Sequence, residues 1–308
     1  MLNLKKGFAL LMSGVLAMSL MACGNDAEVG NAAGGSSDTV VVSGKNFTEQ
    51  DILVHIMSSL IEEKTDLTVE RKPFLGGSQL VHSAILKGDV DIYPEYTGTA
   101  WISILKQEDN PDPKQTYDQT KAAYEEQFEL TWLEPLGFNN TYTLSMRTEQ
   151  AEELDIETIS DLAKHSSKLT LGATQEFLER PDGYKGLQEI YPGLKFESTK
   201  GLDPGLTYGA VKDGAVDVND AFSTDGRIPA FNLKSLKDDK NFFPPYYAAP
   251  VVRMDTLEAH PELKDVLNLL AGKLDEATMA QLNAKVDLEG QNAQDVAEAW
   301  LKEQGLME

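Results

Sequence analysis

The amino-acid sequence predicts an α/β fold in two similar lobes with a ligand cleft between them. Three observations carry this expectation. Short β-branched runs alternate with helix-patterned runs along the chain. One helix–strand unit recurs 126 residues further on. Each copy of that unit ends in an aromatic residue, at the point where a buried strand should simply stop.

The alternation begins with "TVVVSG" (Thr39 to Gly44), a β-branched run closed by glycine, which reads as a buried strand. "TEQDILVHIMSSLIEEKT" (Thr48 to Thr65) follows, with threonine and then acidic and amide residues as a helix start. Ile52, Leu53, Ile56, Leu60 and Ile61 share one helical face. "LTVERKPFLG", "SQLVHSAILKG" and "DVDIYPEYTG" continue as strand, helix and strand, which implies a parallel sheet with helices on its faces. A second series opens with "YTLSMR" (Tyr142 to Arg147) and "LTLGAT" (Leu169 to Thr174). It runs through "LKFEST" and "GLTYGAVKDG" to "AVDVNDAFSTDG" (Ala215 to Gly226). The closing region from Thr256 to Leu306 reads as helices.

The repeat aligns "AILKGDVDIYPEYT" with "AVKDGAVDVNDAFS". Gly88 matches Gly214, Val90 matches Val216 and Asp91 matches Asp217, so Tyr96 falls opposite Phe222. In open α/β sheets ligands bind outside the carboxyl ends of the strands. Two such lobes face to face present Tyr96 and Phe222 to one shared cleft.

The chain's start sets the compartment. Lys5 and Lys6 precede the uncharged run "GFALLMSGVLAMSLMA" (Gly7 to Ala22), which has the build of a secretory signal and is too short for a membrane span. "LMAC" resembles a bacterial lipobox, which implies that Cys23 is lipidated and begins the mature chain. Cys23 is the only cysteine in 308 residues, so no disulfide forms within the chain. Gly24 to Asp38 is small, polar and aperiodic, a tether. A formal charge of −23 argues against a nucleic-acid partner, whose phosphates it would repel.

The lipobox, "SGKNFTEQ", "GDVDIYPEYTGT", "GFNNTYTLSMR", "AFSTDGRI" and "DDKNFFPPYYAAPVV" together resemble the substrate-binding lipoproteins of osmoprotectant ABC importers. These capture glycine betaine, carnitine, choline and related trimethylammonium compounds. The resemblance implies a two-lobed periplasmic binding-protein fold of type II, the Venus flytrap. It divides the chain into a signal (residues 1–22), the lipidated cysteine with its tether (23–38), one lobe (39–140 with 249–308) and a second (141–248). It also implies an ABC permease with a cytoplasmic ATPase as partner. The expected state is a monomer, anchored by lipid outside the membrane of a Gram-positive bacterium, with no cofactor, metal or enzymatic activity.

A quaternary ammonium has no hydrogen to donate, so diffuse negative potential and close packing must recognise it. Aromatic faces supply both, at about 0.5–2 kcal/mol each. The resemblance assigns that cage to Tyr96, Tyr142, Phe222 and Tyr246, with Tyr247 as the substitute for its neighbour. Phe222 stands where the family often has tyrosine, so one hydroxyl is missing. A betaine also carries a carboxylate, and the expected donors are Lys45, just past the first strand, Thr99, and Arg180 at the family's second-lobe basic position. Sequence signatures of catalysis are missing: there is no GxSxG, HExxH, P-loop or GxGxxG, and His55, His82, His165 and His260 lack metal spacing. Two alternatives stay open: a larger trimethylated betaine such as ergothioneine as ligand, and a sensor or adhesion lipoprotein on the same fold.

Overall fold

The computed structural model describes residues 38–108 and 112–308. The expected signal, Cys23 and all of the tether but Asp38 lie outside the described residues. The strands are β1 (Thr39–Lys45), β2 (Thr68–Gly76), β3 (Ile92–Tyr96), β4 (Leu130–Trp132), β5 (Tyr142–Arg147), β6 (Thr170–Thr174), β7 (Ser198–Leu202), β8 (Val218–Phe222), β9 (Leu233–Ser235) and β10 (Ala248–Arg253). They form two five-stranded sheets, ordered β2-β1-β3-β10-β4 and β7-β6-β8-β5-β9.

The two sheets are wound alike. In the first, β1 pairs in parallel with β2 and β3, and β10 runs antiparallel between β3 and β4. In the second, β6 pairs in parallel with β7 and β8, and β5 runs antiparallel between β8 and β9. The sequence repeat is therefore a structural one. Gly88 and Gly214 both take left-handed backbone, at φ 78° and 73°, where a Cβ would be strained. Asp91 Oδ2 accepts from the Val41 amide and Asp217 Oδ2 from the Thr170 amide, each at 2.8 Å. Arg253 donates to the Ile85 carbonyl, and Arg147 donates to the carbonyl of Val211, 126 residues beyond Ile85.

Helix α1 (Thr48–Lys64) buries Ile52, Leu53, Ile56, Leu60 and Ile61 against β1, β2 and the closing helix Ala293–Glu303. Full burial of such side chains is worth roughly 1.5–3 kcal/mol apiece, and it fixes the loop that leads from β1 into the helix. No helix among the described residues is long and apolar enough to cross a membrane.

Three local expectations differ from what the chain does. The sheets are mixed rather than purely parallel, because β10 and β5 enter between strands laid down earlier or later. "LKFEST" is not a strand over Leu194 to Thr199; Leu194 and Phe196 are buried before the strand begins, and β7 is an exposed edge held by pairing with β6. Hydrophobic pattern cannot mark a strand that buries little. At α1, Phe47 and not Thr48 is the N-cap residue, with no side-chain cap; Thr48 Oγ1 donates to Asp287 Oδ1 at 2.6 Å.

Candidate functional site

A cavity of about 290 Å³ lies where the two sheets present the same edge. Lys45 and Tyr96 are the last residues of β1 and β3, and Thr174 and Phe222 are the last of β6 and β8. Tyr142 is the first residue of antiparallel β5, and Tyr246 lies two residues before β10. All seven residues singled out in the sequence, Lys45, Tyr96, Thr99, Tyr142, Arg180, Phe222 and Tyr246, line this cavity. Tyr247 does not; it faces a separate surface pocket with Tyr117 and Pro135, as alternation along an extended segment requires.

The aromatic rings form one chain of contacts. Tyr142 sits opposite Phe222 across the β5–β8 ladder, and their centroids are 5.0 Å apart. Tyr246 meets Tyr142 edge-on at 5.6 Å. Phe47 joins the two halves, stacking on Phe222 at 5.2 Å and on Tyr96 at 6.3 Å. Phe47 lines the cavity and was not among the sequence candidates. The sequence masks it, because Thr48 reads as the helix start and leaves Phe47 an ordinary loop residue.

Hydroxyl groups hold two of the rings in place. Tyr96 donates to Glu49 Oε1 at 2.6 Å, and Tyr246 donates to Asp182 Oδ2 at 2.6 Å. Burial, and next the neighbouring carboxylates, push both phenols well above their ordinary range, so the rings stay neutral. Gly98 lets the Tyr246 ring lie against the backbone, since a Cβ there would come within 2.7 Å of it. Glu49 is fully enclosed and also accepts from Asn140, Thr224 and Asn283. Burial raises its carboxyl above the usual range despite those four donors. Asp220, buried beneath Thr174, is pushed up to about 6, chiefly by burial.

Both cations of the site are already partnered. Lys45 Nζ is paired with Glu95 and lies 5.0 Å from the Tyr96 ring centre. Arg180 grips Asp182 through Nε and Nη2, donates from Nη1 to Glu176 at 3.0 Å, and from Nη2 to Thr99 Oγ1 at 3.1 Å. Its guanidinium carbon is 5.4 Å from the Tyr142 ring centre. Thr99 opens a π-helical turn (Thr99–Ile104), which aims its hydroxyl at that arginine. Sequence reasoning missed Glu49, Glu95, Glu176 and Asp182. For the last two the run "EFLERPD" carries a signal, since acids stand four residues before Arg180 and two after it.

π faces and acidic side chains enclose a small space, an arrangement that suits capture of a cation. The family OpuAC, described as the substrate binding domain of ABC-type glycine betaine transport systems, matches residues 38–303. A carnitine transport binding protein, OpuCC of Listeria monocytogenes, is 38% identical over 307 residues, covering 99% of each chain. An ergothioneine transport permease/ergothioneine binding protein, EgtU of Helicobacter pylori, is 40% identical over 269 residues, covering 87% of this chain and 48% of its own. A crystal structure of a glycine betaine/carnitine/choline ABC transporter superposes with a TM-score of 0.71 at 37% identity, covering 87% of this chain and all of that one. The fold is thus the two-lobed one of periplasmic binding proteins, and the chain belongs to the OpuAC family of ABC-transporter substrate-binding domains.

Proposed function

We propose that this chain captures a trimethylammonium osmoprotectant outside the membrane and delivers it to an ABC permease. The class covers glycine betaine, carnitine, related betaines and choline. One observation carries the reading: Tyr96, Phe47, Phe222, Tyr142 and Tyr246 converge on one small cavity from both sheets. Three or four faces at about 0.5–2 kcal/mol each approach the 8 kcal/mol or so of micromolar binding. Thr99, with the unspent hydrogens of Lys45 and Arg180, is the polar end of the site. A volume of about 290 Å³ is at the small end for ligand sites, which favours a compact betaine.

The likeness to EgtU supports a second reading, a larger trimethylated betaine such as ergothioneine. The rest of the proposal concerns how the protein is deployed. Residues 1–22 are a signal, Cys23 carries lipid, and the stretch to residue 38 tethers a monomer to a Gram-positive cell membrane. Sheet membership supports one lobe of 39–140 with 249–308 and another of 141–248, except that Ala248, the first residue of β10, pairs in the first sheet. No catalytic step belongs to the reading. Calorimetry against glycine betaine, carnitine, choline, proline betaine and ergothioneine tests it, with Tyr96→Ala and Tyr142→Ala as controls. Binding weakened at least about tenfold by each substitution, in a folded protein, is the expected result. No heat from any of the five ligands would instead favour a sensor or adhesion role.

A further inference from the structure

Glu176 has no part in the cage, yet it sits on the cavity wall and bridges the two sheets' sides of the cleft. Its Oε1 accepts from Ser78 Oγ at 2.6 Å and from Arg180 Nη1 at 3.0 Å, and its Oε2 accepts from the Ser78 amide at 3.2 Å. Ser78 opens helix α2 (Ser78–Lys87), whose N-cap is Gly77 and has no side-chain cap of its own. The carboxylate therefore caps a helix on the opposite side of the cleft, where amides and dipole favour an anion. Gly77 admits it: a Cβ at that position would lie 2.6 Å from Glu176 Oε2.

We propose that Glu176 determines ligand specificity by occupying, from within the chain, the Ser78 donors and one Arg180 hydrogen that a ligand's carboxylate would otherwise use. This rests on the reading that the aromatic box takes a trimethylammonium group. Around the cavity Lys45 and Arg180 bring two positive charges, while Glu176, Asp203 and the cations' own partners Glu95 and Asp182 bring four negative ones, leaving an excess of negative charge. A ligand with a hydroxyl at its other end leaves Glu176 seated and offsets part of that excess with its ammonium. A zwitterion brings no net charge and sets a second carboxylate against the first, so Glu176 must leave Ser78. It has somewhere to go. Its side chain is 32% exposed, and beyond it opens a wider pocket of about 540 Å³ that includes Lys106. The choice between choline-like and betaine-like ligands is then the free energy of seating or releasing one side chain.

The test is calorimetry of the wild-type protein, E176Q and E176A with choline and with glycine betaine. E176Q keeps the shape and removes the charge, and melting temperatures confirm that each variant is folded. The expected result is a ratio of choline Kd to betaine Kd that rises at least about tenfold in both variants, the weight of one charge-assisted hydrogen bond. An unchanged ratio with wild-type binding intact overturns this inference and leaves the aromatic box standing. Equal weakening of both ligands makes Glu176 a latch between lobes and likewise overturns it. Neither ligand binding the wild type removes the reading beneath it.

Discussion

Phe47→Ala tests the aromatic box at the member that joins its halves. The ring is partly exposed at the mouth of the cavity and stacks on Phe222 and Tyr96, so truncation leaves little enclosed void in the free protein. The stacking lost with Phe222 is lost with and without ligand and cancels in part. What remains is one face toward the ammonium, about 1–2 kcal/mol, or about five- to thirtyfold in Kd. Phe47→Leu separates the causes, because leucine keeps apolar bulk without a π face. Calorimetry with choline, whose head is the trimethylammonium alone, should give the leucine variant nearly the alanine variant's loss. Leucine binding choline as tightly as phenylalanine would refute recognition by the ring's quadrupole and leave only packing.

Two further outcomes follow from the buried charges. Arg180→Ala strands Asp182, whose side chain is 1% exposed, so denaturation should show a loss of about 3–5 kcal/mol and all ligands should weaken together; an unaltered melting temperature would show that the pair is not holding the cleft. Asp220, pushed up to about 6, binds its proton more tightly folded than unfolded, so stability is full below about 4 and is lost as pH rises through about 6. At pH 7 that deficit is on the order of 3 kcal/mol, and Asp220→Asn should recover most of it and flatten the curve between those limits. A variant with the wild-type slope would rule the assignment out.

The parts of the site visible in the sequence were those tied to strand ends. Tyr96 and Phe222 follow from where a hydrophobic run stops, and the shared offset of Gly88 and Gly214 placed them together, whereas Tyr142, the first residue of β5, came from the family resemblance alone. Tyr246 and Tyr247 could not be told apart, because alternation shows only that they face opposite ways and not which faces in. The charges were legible as residues and not as pairs. Glu95 is 50 positions from Lys45, and nothing local ties them before β1 and β3 lie side by side. Phe47 was hidden by its neighbours: Thr48, Glu49 and Gln50 look like a helix cap, while Glu49 and Gln50 in fact hold the Tyr96 hydroxyl. β7 escaped because its evidence is backbone pairing, which leaves no trace in composition.

The interleaving of β10 sets the order in which the molecule can be completed. The second sheet is drawn from residues 142–235, and its pairings close over that span alone. The first begins at Thr39, but β3 and β4 meet only through β10, residues 248–253. Loop closure over more than a hundred residues is slow, and a sheet that awaits an interior strand leaves the edges of β3 and β4 open meanwhile. A chain emerging amino end first can therefore finish its second sheet while the first is still a fragment. Lys45 and Tyr96 are made early, together with their partners Glu95, Glu49 and Gln50, and wait for the rest of the site. The site is complete only when Tyr246, two residues ahead of β10, lies beside Tyr142, so it needs at least the first 246 residues of the chain.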